Sequence, residues 1–302
     1  MFLLEPVYKD YLWGGTALWE RFGKGAGLPV VAESWELSTH PDGLTLLAGS
    51  GRTLRDALGE DLPILVKLID AHKPLSVQVH PDDAYALRAA GERGKTELWH
   101  VLAAEKDAYL YLGLKRPVTK AELERAIGEN TVEELLNKVP VHAGESYYIP
   151  AGMLHAIGPG CLIYEVQESS NLTYRVYDYG RVDAQGRLRE LHIADALAVA
   201  ALAPVSTTPP GAGEAREQGG LRRRAIVRCP YFSLWELHLA GQARVSASAD
   251  GFCHLLCTEG ACSAFQGGES LGLAAGTGLF LTAGEEIALE GEAVLLAVSP
   301  GK

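Results

Sequence analysis

Between Val141 and Gly160 the chain reads VHAGESYYIPAGMLHAIGPG, in which Gly144, Pro150, Gly152 and His155 are separated by five, one and two residues. Gly144 and Pro150-Ala151-Gly152 mark turns, and the Tyr- and Ile-rich pieces Ser146 to Ile149 and His155 to Ile157 have strand composition. The pattern predicts a hairpin with His155 opening its second strand, where a side chain can point into a small barrel. A lone histidine there is ordinarily a core residue. Partners would make it a ligand.

Three candidates lie upstream. Leu75 to His80 alternates, with Leu75, Val77 and Val79 on one face and Ser76, Gln78 and His80 on the other. Pro81-Asp82-Asp83 then ends the strand and opens a helix through Ala90, with an aspartate as its cap. Glu97 follows Gly94-Lys95-Thr96 at the mouth of LWHVLAAEKDAYLYLGL, a pair of strands around a charged turn. Glu97 alone reads as surface decoration. Together, the Gln78 amide oxygen, the Glu97 carboxylate and the imidazoles of His80 and His155 make a mixed N/O set suited to Zn²⁺ or another divalent first-row metal.

Charged residues flank this set. Lys67 sits inside the apolar run Ile64 to Ile69 and either snorkels to the surface or meets an anion. In CLIYEVQE, Ile163, Glu165 and Gln167 share a face, as do Arg175 and Tyr177 in TYRVYDYG. Glu165 and Arg175 are equally readable as a plain cross-strand ion pair.

Stepping outward, 117–138 reads as two amphipathic helices with capping boxes at Thr119/Glu122 and Thr131/Glu134, an inserted helical layer. Thr53 with Asp56 starts a short helix, and 188–202 forms another, so inserted helices are expected at about 83–90, 117–138 and 188–202. Trp13, Trp19 and Trp35 read as packing. The stretch 203–220, APVSTTPPGAGEAREQGG, is linker-like, separating a catalytic domain, 1–202, from a β domain, 221–302. Within the latter, Gly276, Thr282, Ala283, Gly284 and Ile287 repeat the spacing of the opening motif, with Ile287 at the histidine position. The expected fold is mainly β with a helical layer: two barrels, with a metal site in the first only.

At 302 residues and 47% hydrophobic content the chain suffices for two cores. A net charge of −11 argues against nucleic acid or an anionic membrane as partner, while allowing a small phosphorylated ligand where a few cations converge. No apolar run is long enough for a bilayer, and the start MFLLEPVYKD lacks an export pattern, so a cytoplasmic location is expected. Five unevenly spaced cysteines, Cys161, Cys229, Cys253, Cys257 and Cys262, fit reduced thiols. Cys253 and Cys257 flank His254 but read as buried apolar residues rather than a zinc site.

The spacing from Gly144 to His155 resembles the second signature motif of the cupin superfamily. PLSVQVHPDD, GKTELWHVL, YYIPAGMLHAIG and YEVQESSNLTYRVYDYGR, in this order, resemble type I mannose-6-phosphate isomerase in its short bacterial form. The resemblance implies a bicupin fold, one zinc ion on Gln78, His80, Glu97 and His155, and active-site positions at Lys67, Ser76, Lys95, Glu165 and Arg175. It implies interconversion of mannose 6-phosphate and fructose 6-phosphate through an enediolate, by a monomer or homodimer. Where relatives carry Ser-Asp before the arginine, this chain has Ser170-Asn171. A non-catalytic sugar-phosphate sensor and another metal-dependent cupin enzyme, such as an oxygenase, are the competing classes. Two lysines and an arginine favour a phosphorylated substrate over the oxygenase, and the intact polar set counts against the sensor.

Overall fold

The computed structural model describes residues 1–182 and 186–301. It is mainly β, with six short helices among the described residues. Two compact units emerge, and neither is continuous in sequence. One contains Met1–Asp10, Thr16–Leu68 and the residues from Pro209 onward; the other contains Tyr11–Gly15 and Ile69–Thr208. The break at Thr208 falls inside the linker expected at 203–220. Most of the first 68 residues, expected with the site-bearing domain, instead group with the C-terminal strands. Backbone pairing is the cause. Phe2–Glu5 is antiparallel to Gly278–Leu281 on one side and to Leu46–Leu47 on the other.

In the first unit, long antiparallel strands Phe232–Ser246, Cys253–Gln266 and Glu286–Pro300 form the middle of a nine-stranded sheet. Leu255, Cys257, Leu279, Leu281, Ile287, Leu289 and Leu295 are buried together on it. The repeat of the sequence motif is carried into the backbone. Gly276 and Gly144 have φ of 91° and 88°, and strands begin two residues after each, at Gly278 and at Ser146. A left-handed φ near 90° suits glycine and strains other residues, which explains why both turns keep it. Ile287 lies in the apolar core where the other copy has His155.

The second unit positions the candidate site with two groups of strands. One runs Ser146–Ile149, Glu97–Ala104, Cys161–Glu168; the other runs Tyr174–Tyr177, Val77–Val79, His155–Ile157, Tyr109–Leu114, Leu136–Pro140. The hairpin expected across Pro150-Ala151-Gly152 is therefore not one. Ser146–Ile149 pairs with Glu97–Ala104, whereas His155–Ile157 pairs with Val77–Val79 and Tyr109–Leu114. The Gly152 turn carries the chain between sheets, tied by Gly152 N–H to the His80 carbonyl at 2.8 Å.

Alternation gives each strand of the second sheet a dry face. Val77, Val79, Leu154, Ala156, Tyr174 and Val176 pack with Leu123, Ile127, Val132, Ala196 and Leu197 of the helical layer. The helices are Asp83–Ala90, Lys120–Gly128, Val132–Leu135 and Ile193–Val199. Thr119 caps as expected, accepting from Glu122 N–H, but Thr131 makes no side-chain cap. The helix after Thr131 stops at Leu135 because Leu136 enters a strand opposite Leu114. The last helix is shorter than 188–202: Leu188 bridges Val182, and at the other end Ala201 N–H bonds the Gly152 carbonyl. Of the three tryptophans expected to pack, Trp13 and Trp35 do, while Trp19 is 49% exposed.

Leu123 is wholly buried between helix and sheet, so Leu123→Ala should cost about 2–5 kcal/mol through lost transfer energy and the cavity left behind. A urea titration should show the midpoint falling; an unchanged midpoint would mean the helical layer contributes little.

Candidate metal centre

Three of the four residues singled out as ligands meet in the interior of the second unit. His80, Glu97 and His155 are each 1% exposed or less, and one ligand atom from each lies within 4.8 Å of the others. His80 follows Val77–Val79, Glu97 opens Glu97–Ala104, and His155 opens His155–Ile157, so both sheets contribute. Gln78, half-buried, is the direct cross-strand partner of His155, and its alternation places it on the face away from the helical layer. Side chains directly opposite in an antiparallel pair stand about 5 Å apart at Cβ, close enough for the amide to join the cluster.

The tautomers follow from the backbone. His80 Nδ1 faces the Leu172 carbonyl at 3.0 Å and His155 Nδ1 faces the Met153 carbonyl at 2.7 Å. A carbonyl only accepts, so each Nδ1 carries the proton and each Nε2 presents a lone pair. Those two Nε2 atoms are 3.1 Å apart. His155 Nε2 lies 3.2 Å from Glu97 Oε1, and His80 Nε2 lies 3.6 Å from Glu97 Oε2. Both Glu97 oxygens are buried and accept no hydrogen bond among the described residues. Lone pairs facing one another in a dry interior repel, and a cation between them removes the repulsion. The donor set fits a divalent first-row metal.

Charge reinforces this. Burial, with the Lys95 ammonium next, holds His80 well below the ordinary imidazole range, so the ring is neutral. Burial alone would raise the Glu97 pKa, but Lys95, with Nζ 3.3 Å from Oε2, holds it well below the carboxylate range. Lys95 itself is buried, with its backbone N–H on the Pro81 carbonyl.

The remaining candidates divide. Glu165 is 3% exposed and opposite Trp99, whose Nε1–H donates to Oε1 at 2.8 Å. Arg175 does not pair with Glu165, because their strands lie in different sheets. Its Nε donates to Ser76 Oγ at 3.3 Å and its NH1 to the Glu190 carbonyl at 2.9 Å. Among the described residues Arg175 has no carboxylate partner, while nearby Arg181 and Arg189 share the buried Asp178. Burial, then Arg189, lowers the Arg175 pKa, as expected where cations crowd. Lys67 belongs to the first unit; it is buried rather than snorkelling, 3.6 Å from Glu33 Oε2 and 5.0 Å from the centre of the Trp35 ring. The anion it meets is a protein carboxylate.

Sequence reasoning missed Trp99, which also packs edge-on against His155 at 5.3 Å between ring centroids. Its position two residues after Glu97, hence on the same strand face, was the available signal. The carbonyls of Met153 and Leu172 had none. All five cysteines are free and buried, and the thiols of Cys253 and Cys257 are pushed up to about 12, first by burial.

Residues 1–109 match the family model described as phosphomannose isomerase type I, catalytic domain. The chain is 36% identical over 264 residues to mannose-6-phosphate isomerase of Streptococcus mutans, covering 82% of both proteins. It is 37% identical over 254 residues to mannose-6-phosphate isomerase ManA of Bacillus subtilis, covering 79% of both. Among solved structures, mannose 6-phosphate isomerase from B. subtilis superposes with a TM-score of 0.90 at 32% identity, over 99% of this chain and 98% of that one. A zinc-bound mannose 6-phosphate isomerase shares the fold at a TM-score of 0.77 and 20% identity, over 100% of this chain and 99% of that one.

Metal uptake should compete with protons at His80, where acid would take up the Nε2 lone pair. Since burial holds His80 well below the usual imidazole value of about 6.5, this ring should stay neutral through that pH and take a proton only in stronger acid. Imidazole ¹⁵N resonances of the metal-free protein followed across pH check this; protonation of His80 already near pH 6.5 would contradict the assigned state.

Proposed function

The chain belongs to the type I mannose-6-phosphate isomerase family, and from that premise we propose that it interconverts mannose 6-phosphate and fructose 6-phosphate with one zinc ion. The observation that carries the reading is the convergence of two unprotonated Nε2 atoms and a buried carboxylate beside Lys95. Gln78, His80, Glu97 and His155 would hold the zinc. When bound, it supplies Lewis acidity toward the substrate carbonyl and its developing negative charge.

The reaction moves one proton between C2 and C1 and a second between O2 and O1 through an enediol(ate), with no net gain or loss of electrons. Glu165 takes the role of base: it removes the C2 proton of the aldose and returns a proton to C1, leaving the ketose. Trp99 Nε1–H fixes one of its carboxylate oxygens, so the other can be aimed at carbon. Lys95 balances the charge of Glu97 and would lend its positive charge to the developing oxyanion. Arg175, whose charge no described carboxylate takes, is suited to the phosphate or the enediolate, and Ser76 orients its guanidinium. Lys67 keeps its substrate-binding role from the family resemblance alone.

The fold reading extends in the same way to a bicupin. The N-terminal part would carry the chemistry, and 221–302 would hold the copy in which Ile287 replaces the ligand. The substrate is a small sugar phosphate, handled without nucleic acid or membrane.

A coupled assay with mannose 6-phosphate is decisive. Activity should vanish with a chelator, return with zinc and be missing in His155→Ala, while Glu165→Gln should lose about 10²–10⁴-fold in kcat with zinc still bound. A folded, zinc-loaded protein that turns over neither sugar phosphate would refute the isomerase reading; full activity in Glu165→Gln would refute the base alone.

A further inference from the structure

We propose that Gln167 is a positioning residue for the imidazole of His80, an inference that rests on the zinc reading above. Gln167 is wholly buried near the end of the strand Cys161–Glu168 and lies directly opposite Glu97. Its Nε2 donates to the Glu168 carbonyl at 2.9 Å and to the Ser170 carbonyl at 2.5 Å. A primary amide has two N–H donors, and both are committed to the chain that follows it.

That chain is a tight turn. Ser170 N–H bonds the Glu168 carbonyl at 2.7 Å, and Ser170 Oγ accepts from Leu172 N–H at 3.2 Å. The turn thus delivers the Leu172 carbonyl to His80 Nδ1 at 3.0 Å. This contact keeps the proton on Nδ1 and turns the Nε2 lone pair toward Glu97 and His155. Gln167 never reaches the imidazole; it fixes the acceptor that does. Orienting contacts of this kind are worth about 10–100-fold in metal affinity.

Gln167→Met keeps length and apolar volume and removes both donors. Its zinc dissociation constant, measured by competition with a chromogenic chelator, should rise about 10–100-fold, with kcat at saturating zinc within a few-fold of wild type. In the zinc-free protein, imidazole ¹⁵N resonances should show His80 as the Nδ1–H tautomer in wild type and as a tautomer mixture in Gln167→Met. Leu289→Ala, in the apolar core of the other unit, controls for lost stability and should leave zinc affinity unchanged. Wild-type affinity and an unchanged His80 tautomer in Gln167→Met would overturn the proposal. So would a loss of affinity matched by Leu289→Ala. If wild type binds no zinc at all, the zinc reading falls first and takes this inference with it.

Discussion

The site depends on a repulsion. Two imidazole nitrogens that have given their protons to the other side of the ring are held 3.1 Å apart beside a carboxylate with no donor of its own. In water such groups would turn away from one another. Here two carbonyls, two sheets and the helical layer forbid the turn. The fold holds a cluster of electron density whose natural complement is a cation, and Lys95 offsets only part of that charge. Removing one partner from such a set does more than delete a contact, because it leaves the others buried and unbalanced.

Much of this was legible in the chain. Alternation through PLSVQVH separated Gln78 and His80 from Val77 and Val79, because a period of two needs no knowledge of the tertiary fold. The strands at Ser146–Ile149 and His155–Ile157 were also legible, being bounded by residues with obligatory turn geometry. Their pairing was not. Local spacing sees a turn between two strands but not that each strand finds its partner in a different sheet. Similarly, the cap signature at Thr131 promised a helix that long-range pairing of Leu136 cut short. Trp99 and Arg175 show the same limit from the side-chain end. Residue type did not single out the one and left a plain ion pair open for the other, and only the register revealed their contacts with Glu165 and Ser76.

The two glycine turns near φ 90° each lead into a strand two residues further on. Ile287, at the same spacing from Gly276 that His155 has from Gly144, is packed in an apolar core. An imidazole there would need a polar partner that the surrounding leucines do not offer.

The discontinuous first unit also bears on how the molecule is made. Residues 69–208 leave the ribosome as one block, so the unit that holds His80, Glu97 and His155 can fold while synthesis continues. The strand Phe2–Glu5 is made long before its partner Gly278–Leu281. At a translation rate of about 5–20 residues per second, that wait lasts for tens of seconds. During it, a short apolar strand with an open edge is exposed to the nascent-chain environment, and this unit is the one that calls for chaperone cover.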